Sequence, residues 1–349
     1  MTVPSDPTAA APPAGERAAP PAERGVPFSA YRGADGTVQQ RLQPARLCEL
    51  VKNGGQLWVD IDANDRAQHA LLEKAFAFHP LAIEDTLDPK TRVKLEEYGT
   101  YLFLVIRTVR FDQSTEDPYD IHTVNLYCFL GQNYLVTVHS APVRAIEELR
   151  QRLERSPDLL SRGAEMIAHG VIDFAVDEFL PMVDQVDDLV DGLEERLFES
   201  YDERAIKDIF AVKRLVVQLR RHLGPLREVL NVLTNRPHTC IAATSQVYFR
   251  DVYDHTIRIV ESLESVRDLL ATVLDTYLTQ TSNRMNQVMK QLTVVATISL
   301  PLVVIGGAFG MNFDRIPMAH NPLGFFAAIG LMALFASVLY WFLKTRHWL

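Results

Sequence analysis

Seven residues near the C-terminus, Asn286, Met289, Leu292, Ala296, Leu300, Val303 and Gly307, recur at steps of three or four and lead to Gly310-Met311-Asn312. On a helix this spacing places them on one face. The face has polar ends and an apolar middle, a composition that can pass an ion and close by excluding water. The stretch IGGAFGMNFDRIPM, Ile305 to Met318, then breaks the apolar run just before another begins.

Such a face needs a membrane around it, and the sequence supplies two spans. Gln291 to Phe313 carries no charge over about 23 residues, and Leu323 to Leu343 none over about 21, against the ~20 needed to cross a bilayer core. Between them FDRIPMAHNP is short and rich in turn formers, so the pair predicts a hairpin with both outer ends on one side. Arg284 and Lys290 precede the first span, Lys344 and Arg346 follow the second, and the loop offers only Arg315 against Asp314. By the positive-inside rule both termini are cytoplasmic. The Pro/Ala-rich segment 1–27 has no apolar core of a secretory signal and predicts a disordered tail.

Two helices cannot enclose a polar path alone, whereas several copies around an axis can. An axis is suggested by Val252, Thr256, Ile259, Leu263, Val266, Leu270, Val273 and Tyr277, which alternate by four and three as in a heptad seam between identical helices. No strong breaker intervenes before the first span, and Pro301 within it can kink but need not end a membrane helix, so one helix is expected from about Ser245 to Phe309, roughly 100 Å long at 1.5 Å per residue. The candidate pore face is expected to continue the same seam upward.

The remainder is a soluble domain. QLWVDID (Gln56 to Asp62), TYLFLVIRTVRF (Thr100 to Phe111) and TVNLYCFL-GQN-YLVTVH (Thr123 to His139) predict strands, the last a hairpin, with helical patterns between them. The fold class is α+β: an N-terminal α/β domain over 28–170, a helical stalk domain over 171–290, spans at 291–313 and 323–343 around an external loop at 314–322, and a basic tail at 344–349. From Asp173 to Glu203 there are twelve acidic residues and one basic, Arg196. An apolar stripe of Phe179, Val183, Val186, Val190, Leu193 and Leu197 leaves the carboxylates outside. That block reads as a solvated face or as a surface that concentrates divalent cations. The following Lys213, Arg214, Arg220, Arg221 and Arg227 predict an antiparallel partner of opposite charge.

Several function classes are disfavoured. The net charge of -9 argues against a nucleic-acid partner. Cys48, Cys128 and Cys240 have no metal-ligand spacing. No GxxxxGKS or GxxxxGKT phosphate loop, HExxH zinc site or GxSxG elbow is present, and His79, His122 and His139 lie scattered among apolar segments, so no enzyme and no organic cofactor is expected.

YFRDVYDHT (Tyr248 to Thr256), SNRMNQVMKQLTVVATISLPLVVIGGAFGMNF (Ser282 to Phe313) and the terminal WFLKTRHWL closely resemble the CorA family of magnesium transport proteins, and HPLAIEDTLD (His79 to Asp88) resembles it more weakly. The resemblance implies a funnel-shaped homopentamer in the cell inner or plasma membrane, with divalent cations, the bilayer and its own copies as partners. It implies Mg²⁺ as both cargo and regulator, with Co²⁺ and Ni²⁺ as further permeant ions. Gly310, Met311 and Asn312 match the entrance filter, whose carboxamide oxygens accept hydrogen bonds from the waters of a hydrated ion. Asp85 on one subunit and Asp251 on the next match a regulatory metal site. Gly306 and Gly310 also suit a helix-packing pair.

The sequence departs from the family at Ile316-Pro317-Met318-Ala319, which lacks a glutamate common there. Leu300 and Val303 stand where methionine and threonine are usual, and the basic end is thin, with Lys344, Arg346 and His347. A zinc transporter of the same superfamily and a membrane-anchored oligomeric sensor or scaffold are the competing readings.

Overall fold

The computed structural model describes residues 25–112, 115, 119–199, 204–311, 323–346 and 348. They divide into two compact units, one within Met1–Asp188 and Ala211–Arg267, the other within Leu189–Phe210 and Asp268–Leu349. The strands are β1 (Phe28–Arg32), β2 (Val38–Gln40), β3 (Gln56–Asp62), β4 (Lys94–Glu97), β5 (Tyr101–Phe111), β6 (Ile121–Gly131) and β7 (Tyr134–His139). The helices are α1 (Pro44–Lys52), α2 (Arg66–His69), α3 (Leu71–Lys74), α4 (Pro80–Asp85), α5 (Arg144–Arg155), α6 (Ala164–Asp177), α7 (Leu180–Glu199), α8 (Ala205–Asn235), α9 (Gln246–Gly310) and α10 (Gly324–Thr345).

The strands form one sheet in the order β2-β1-β3-β7-β6-β5-β4. Its pairings are antiparallel except β3 with β7, which run parallel from Leu57↔Tyr134 to Asp62↔His139. The sequence pattern explains the centre: β5 and β6 are long apolar runs and pair along their full length, from Tyr101↔Gly131 to Phe111↔Ile121. One face packs Leu57, Val59, Phe103, Phe129 and Val136 against Leu47 of α1, Leu72 of α3, and Phe78 and Ala82 at α4. α6 crosses the sheet at β3, β5, β6 and β7 and packs on α5. Asn133, in the predicted hairpin turn, donates from its amide to the carbonyls of Val51 (2.9 Å) and Gly55 (3.1 Å), so the turn is tied to the end of α1 and the start of β3.

A buried polar cluster sits on β3 and β7. Asp60 accepts from Thr137 Oγ1 at 2.5 Å, lies 3.1 Å from His139 Nε2 and pairs with Arg150 of α5. Burial raises the Asp60 pKa, but His139, Arg150 and Thr137 outweigh it and hold the carboxyl at about 2. Burial opposes the charge on His139 too, yet the Asp60 carboxylate raises its pKa. His139 is thus structural, as is His79, whose Nδ1 caps α4 by accepting from the Leu81 amide at 3.2 Å.

The stripe on α7, Phe179 with Val183, Val186, Val190, Leu193 and Leu197, is buried as its periodicity predicts. The expected charge pairing with α8 takes another form. Arg220 reaches Glu264 of α9 at 2.9 Å, while Arg196 of the acidic helix pairs with Asp208 of the basic one at 2.7 Å.

α9 is one helix of 65 residues, and Pro301 does not end it. The seam from Val252 to Tyr277 corrects a sequence expectation. Each of its eight residues is at most 9% exposed within the single chain, so the seam does not wait for identical helices. Neighbouring helices of the same chain meet α9 instead: the Gln280 amide donates to the Leu197 carbonyl of α7, and Val273 and Leu197 line one pocket. An alternation of four and three states only that an apolar face meets another helix; the chain supplies that helix itself.

Candidate ion path and regulatory cluster

α9 and α10 each contain a stretch long and apolar enough to cross a membrane, and only 6% and 11% of those stretches is buried within the chain. A core helix of a soluble protein would be mostly covered. The two helices touch along one stripe each. On α9 it comprises Val294, which is buried, and Thr297, Ile298, Pro301, Leu302 and Ile305, which are half-buried. On α10 it comprises Gly324, Ala328 and Leu343, buried, with Met332, Ala336 and Leu339 between them. A Cβ on Gly306 would meet Met332 Cε at 3.4 Å, whereas one on Gly310 would meet nothing within 4 Å. Within the chain, therefore, only Gly306 of that pair lies against the neighbouring helix.

The candidate pore residues lie on the other side. Asn286, Met289, Leu292, Ala296, Leu300, Val303 and Gly307 are all exposed, Val303 by 69%. At 100° per residue their mean direction is nearly opposite that of Val294, Ile298, Pro301 and Ile305. Pro301 thus lies on the half-buried stripe and not on the exposed face. Met311 is exposed beyond the end of α9, and Asn312 and the loop 314–322 lie outside the described residues.

This face does not continue the buried seam, which is a second correction. Tyr277 and Asn286 are nine positions apart, which turns the helix by two and a half turns. The seam itself steps on through Gln280, Arg284, Gln287 and Gln291 to Val294, Ile298, Pro301 and Ile305, the stripe that meets α10. The exposed face, followed down from Met289 in sevens, meets Ser282, Asp275, Asp268 and Glu261, all exposed. The seven-residue spacing of these three carboxylates is legible in the sequence, but only once the exposed face has been separated from the seam.

The two predicted regulatory residues belong to separate clusters within the chain. α4 presents Asp85 in its last turn, with Pro80 at the helix start, Ala82 fully buried, and the His79 amide donating to Tyr101 Oη at 3.0 Å. Asp85 Oδ2 accepts from Lys94 Nζ at 2.8 Å, and the same ammonium lies 2.7 Å from Glu96 Oε1. Tyr98 donates to the other oxygen of Glu96 at 3.0 Å. Burial works against the Lys94 charge, but Asp85 and Glu96 outweigh it and raise the pKa. Burial, then the Glu96 carboxylate, pushes the Tyr98 hydroxyl up to about 12.

Asp251 projects from α9 with its side chain 70% exposed and one oxygen 3.9 Å from His255 Nε2. Beside it, Asp173 and Asp177 of α6 and His255 bring one ligand atom each within 4.8 Å of one another. Burial and then the Asp173 charge raise the Asp177 pKa, a strain that a cation would relieve. The i, i+4 spacing of Asp173 and Asp177 was the available signal for that grouping. Asp85 and Asp251 offer only carboxylate oxygens, a donor chemistry that fits Mg²⁺.

A mixed α/β sheet domain, a helix of 65 residues and two stretches long and apolar enough to cross a membrane are together the features of a membrane protein. The chain belongs to the CorA-like Mg²⁺ transporter family, whose pattern it matches over residues 53–345. It is 36% identical over 286 residues to YfjQ of Bacillus subtilis, covering 82% of this chain and 88% of that one. To the cobalt/magnesium transport protein CorA of Thermotoga maritima it is 32% identical over 275 residues, 78% of each chain. Its fold is similar to the CorA magnesium transporter of Methanocaldococcus jannaschii, with a TM-score of 0.80 at 21% identity over 93% of this chain and 99% of that one. The chain is accordingly a divalent cation transporter of the membrane and not an enzyme.

Proposed function

We propose that the protein is a homopentameric channel in the cell's inner or plasma membrane that conducts Mg²⁺ inward, and admits Co²⁺ and Ni²⁺ as well. The observation that carries this reading is the uncovered face of α9 from Asn286 to Gly307, set opposite the face that meets α10. Copies of this face around an axis enclose a path that one chain cannot. In this arrangement residues 291–313 and 323–343 span the bilayer, 314–322 form the outer loop, and domains 28–170 and 171–290 remain cytoplasmic with both termini.

Each part of the path has a physical task. Gly310, Met311 and Asn312 form the outer mouth, where a ring of carboxamide oxygens accepts hydrogen bonds from the waters of Mg²⁺, an ion that dehydrates reluctantly. Leu292, Ala296, Leu300 and Val303 form a dry section that closes by excluding water. Asp275, Asp268 and Glu261 give the cytoplasmic continuation a negative potential that draws a cation onward. The driving force is the membrane potential, about 2.3 kcal/mol per charge per 100 mV, and two charges double it.

Closure answers cytoplasmic Mg²⁺. An ion held between Asp85 of one subunit and Asp251 of its neighbour clamps the closed state, and its loss leaves like charges to repel. Uptake then shuts itself off as internal Mg²⁺ rises.

The test is flux into proteoliposomes of the purified protein, following Mg²⁺ and Zn²⁺ separately, with Asn312→Ala as the control. The expected result is potential-driven Mg²⁺ influx that the substitution abolishes. Zn²⁺ influx without Mg²⁺ would transfer the protein to the zinc-transporting branch. An intact oligomer that passes neither ion would make it a sensor or scaffold.

A further inference from the structure

We infer that Lys94 is a tethered competitor for the regulatory cation: its ammonium occupies the Asp85 carboxylate and thereby sets the internal Mg²⁺ concentration at which the pore closes. The inference deepens the regulatory reading of Asp85 given above and rests on it.

The lysine is placed rather than free. Lys94 opens β4, an edge strand that among the described residues pairs with β5 alone, and its register opposite Val105 fixes its direction. Lys94 and Glu96 stand two residues apart and so share one face of the strand. The ammonium lies 5.7 Å from the centre of the Phe103 ring, 2.8 Å from Asp85 Oδ2 and 2.7 Å from Glu96 Oε1. It therefore sits between two carboxylates on different elements, one on α4 and one on β4.

This arrangement has two resting positions. A divalent ion that takes Asp85 must displace the ammonium, but the displaced ammonium keeps Glu96, which Tyr98 holds in place at 3.0 Å. No buried charge is stranded by the exchange, so it is reversible at low cost. A site that is competent only when the lysine has left binds with an affinity reduced by the fraction of time it is free. Because both side chains are about one-third exposed, the pair has the modest strength of a surface ion pair, and its removal shifts affinity by about two- to fivefold.

The experiment uses the full-length protein in proteoliposomes and reads the internal Mg²⁺ concentration that halves influx, with oligomer integrity checked by size exclusion. Lys94→Gln is expected to lower that concentration about two- to fivefold. Lys94→Arg, which keeps the charge, is expected to stay near the unmodified value. Glu96→Gln removes the second resting position, so the lysine stays on Asp85 and the half-closing concentration rises. This opposite shift keeps the test decisive where Lys94→Gln disturbs the edge strand. Asp85→Ala is the control for the regulatory site itself. If Asp85→Ala weakens closure while Lys94→Gln and Glu96→Gln leave it unchanged, or shift it opposite to these directions, the competitor role is overturned and the site stands. If Asp85→Ala changes nothing, the site reading and this inference fall together.

Discussion

Tyr277 and Asn286 lie on the same unbroken helix, nine positions apart, and face opposite sides of it. Tyr277 is 9% exposed and is the last of the eight seam positions from Val252; Asn286 is exposed and begins the face that the chain leaves uncovered. One helix thereby has two tasks. Its inner stripe is covered within the chain, and its outer stripe is the face that the proposed channel assigns to other copies and to ions.

A dry pore should become leaky when its middle is wetted. Leu300→Asn places a hydrogen-bonding group among Leu292, Ala296 and Val303. A wetting barrier lower by about 1.4 kcal/mol, less than the burial of one leucine side chain, raises flux about tenfold. Mg²⁺ influx at an internal concentration that closes the unmodified channel measures this, and unchanged closure would place Leu300 away from the gate.

Asp251 is largely exposed, so its replacement should leave the fold intact and act on regulation alone. Asp251→Ala is expected to raise the half-closing Mg²⁺ concentration by about tenfold, equivalent to about 1.4 kcal/mol. Flux recorded against a series of internal Mg²⁺ concentrations checks it. An identical closure curve would remove Asp251 from the regulatory site.

Asp60 should govern the stability of the α/β domain. Its carboxyl titrates at about 2 when folded against an ordinary 3.8, so its contribution is present above about pH 4 and is lost as pH falls through 2. His139 shifts upward from 6.5, so its contribution is present below that value and fades as pH rises through the raised one. The Asp60–His139 pair is therefore strongest between about pH 4 and 6.5. Asp60→Asn takes the carboxylate partner from Arg150 and removes what holds the His139 pKa up against burial, at a cost of about 3 kcal/mol, and flattens this dependence. Thermal unfolding of the detergent-solubilised protein across pH 3–9 reads both effects.

What the sequence disclosed was mainly local. The β6–β7 hairpin was visible because its two strands meet at Gly131-Gln132-Asn133, and α9 because no breaker comes before Pro301, which a membrane helix tolerates. The parallel pairing of β3 with β7 joins segments more than seventy residues apart and leaves no local mark. The buried seam was recognised as a helix contact, but a heptad does not say whose helix answers it. Counting in threes and fours also let the face restart at Asn286 in the wrong phase. Asp85 and Asp251 came from resemblance. The hold of Lys94 on Asp85 depends on α4 and β4 meeting across an intervening loop, which no spacing rule anticipates.

If the uncovered face of α9 lines the ion path, cysteines placed on it lie within reach of water-borne thiol reagents. Leu292→Cys and Val303→Cys lie on that face; Ile298→Cys and Ile305→Cys lie on the stripe that meets α10. Native Cys128 and Cys240 are buried, and Cys48 is replaced by serine to clear the background. Mg²⁺ influx into proteoliposomes is then measured before and after a small charged thiol reagent. Block is expected at Leu292→Cys and Val303→Cys, with little change at Ile298→Cys and Ile305→Cys. Block at the latter pair alone would contradict it and turn the helix half a turn.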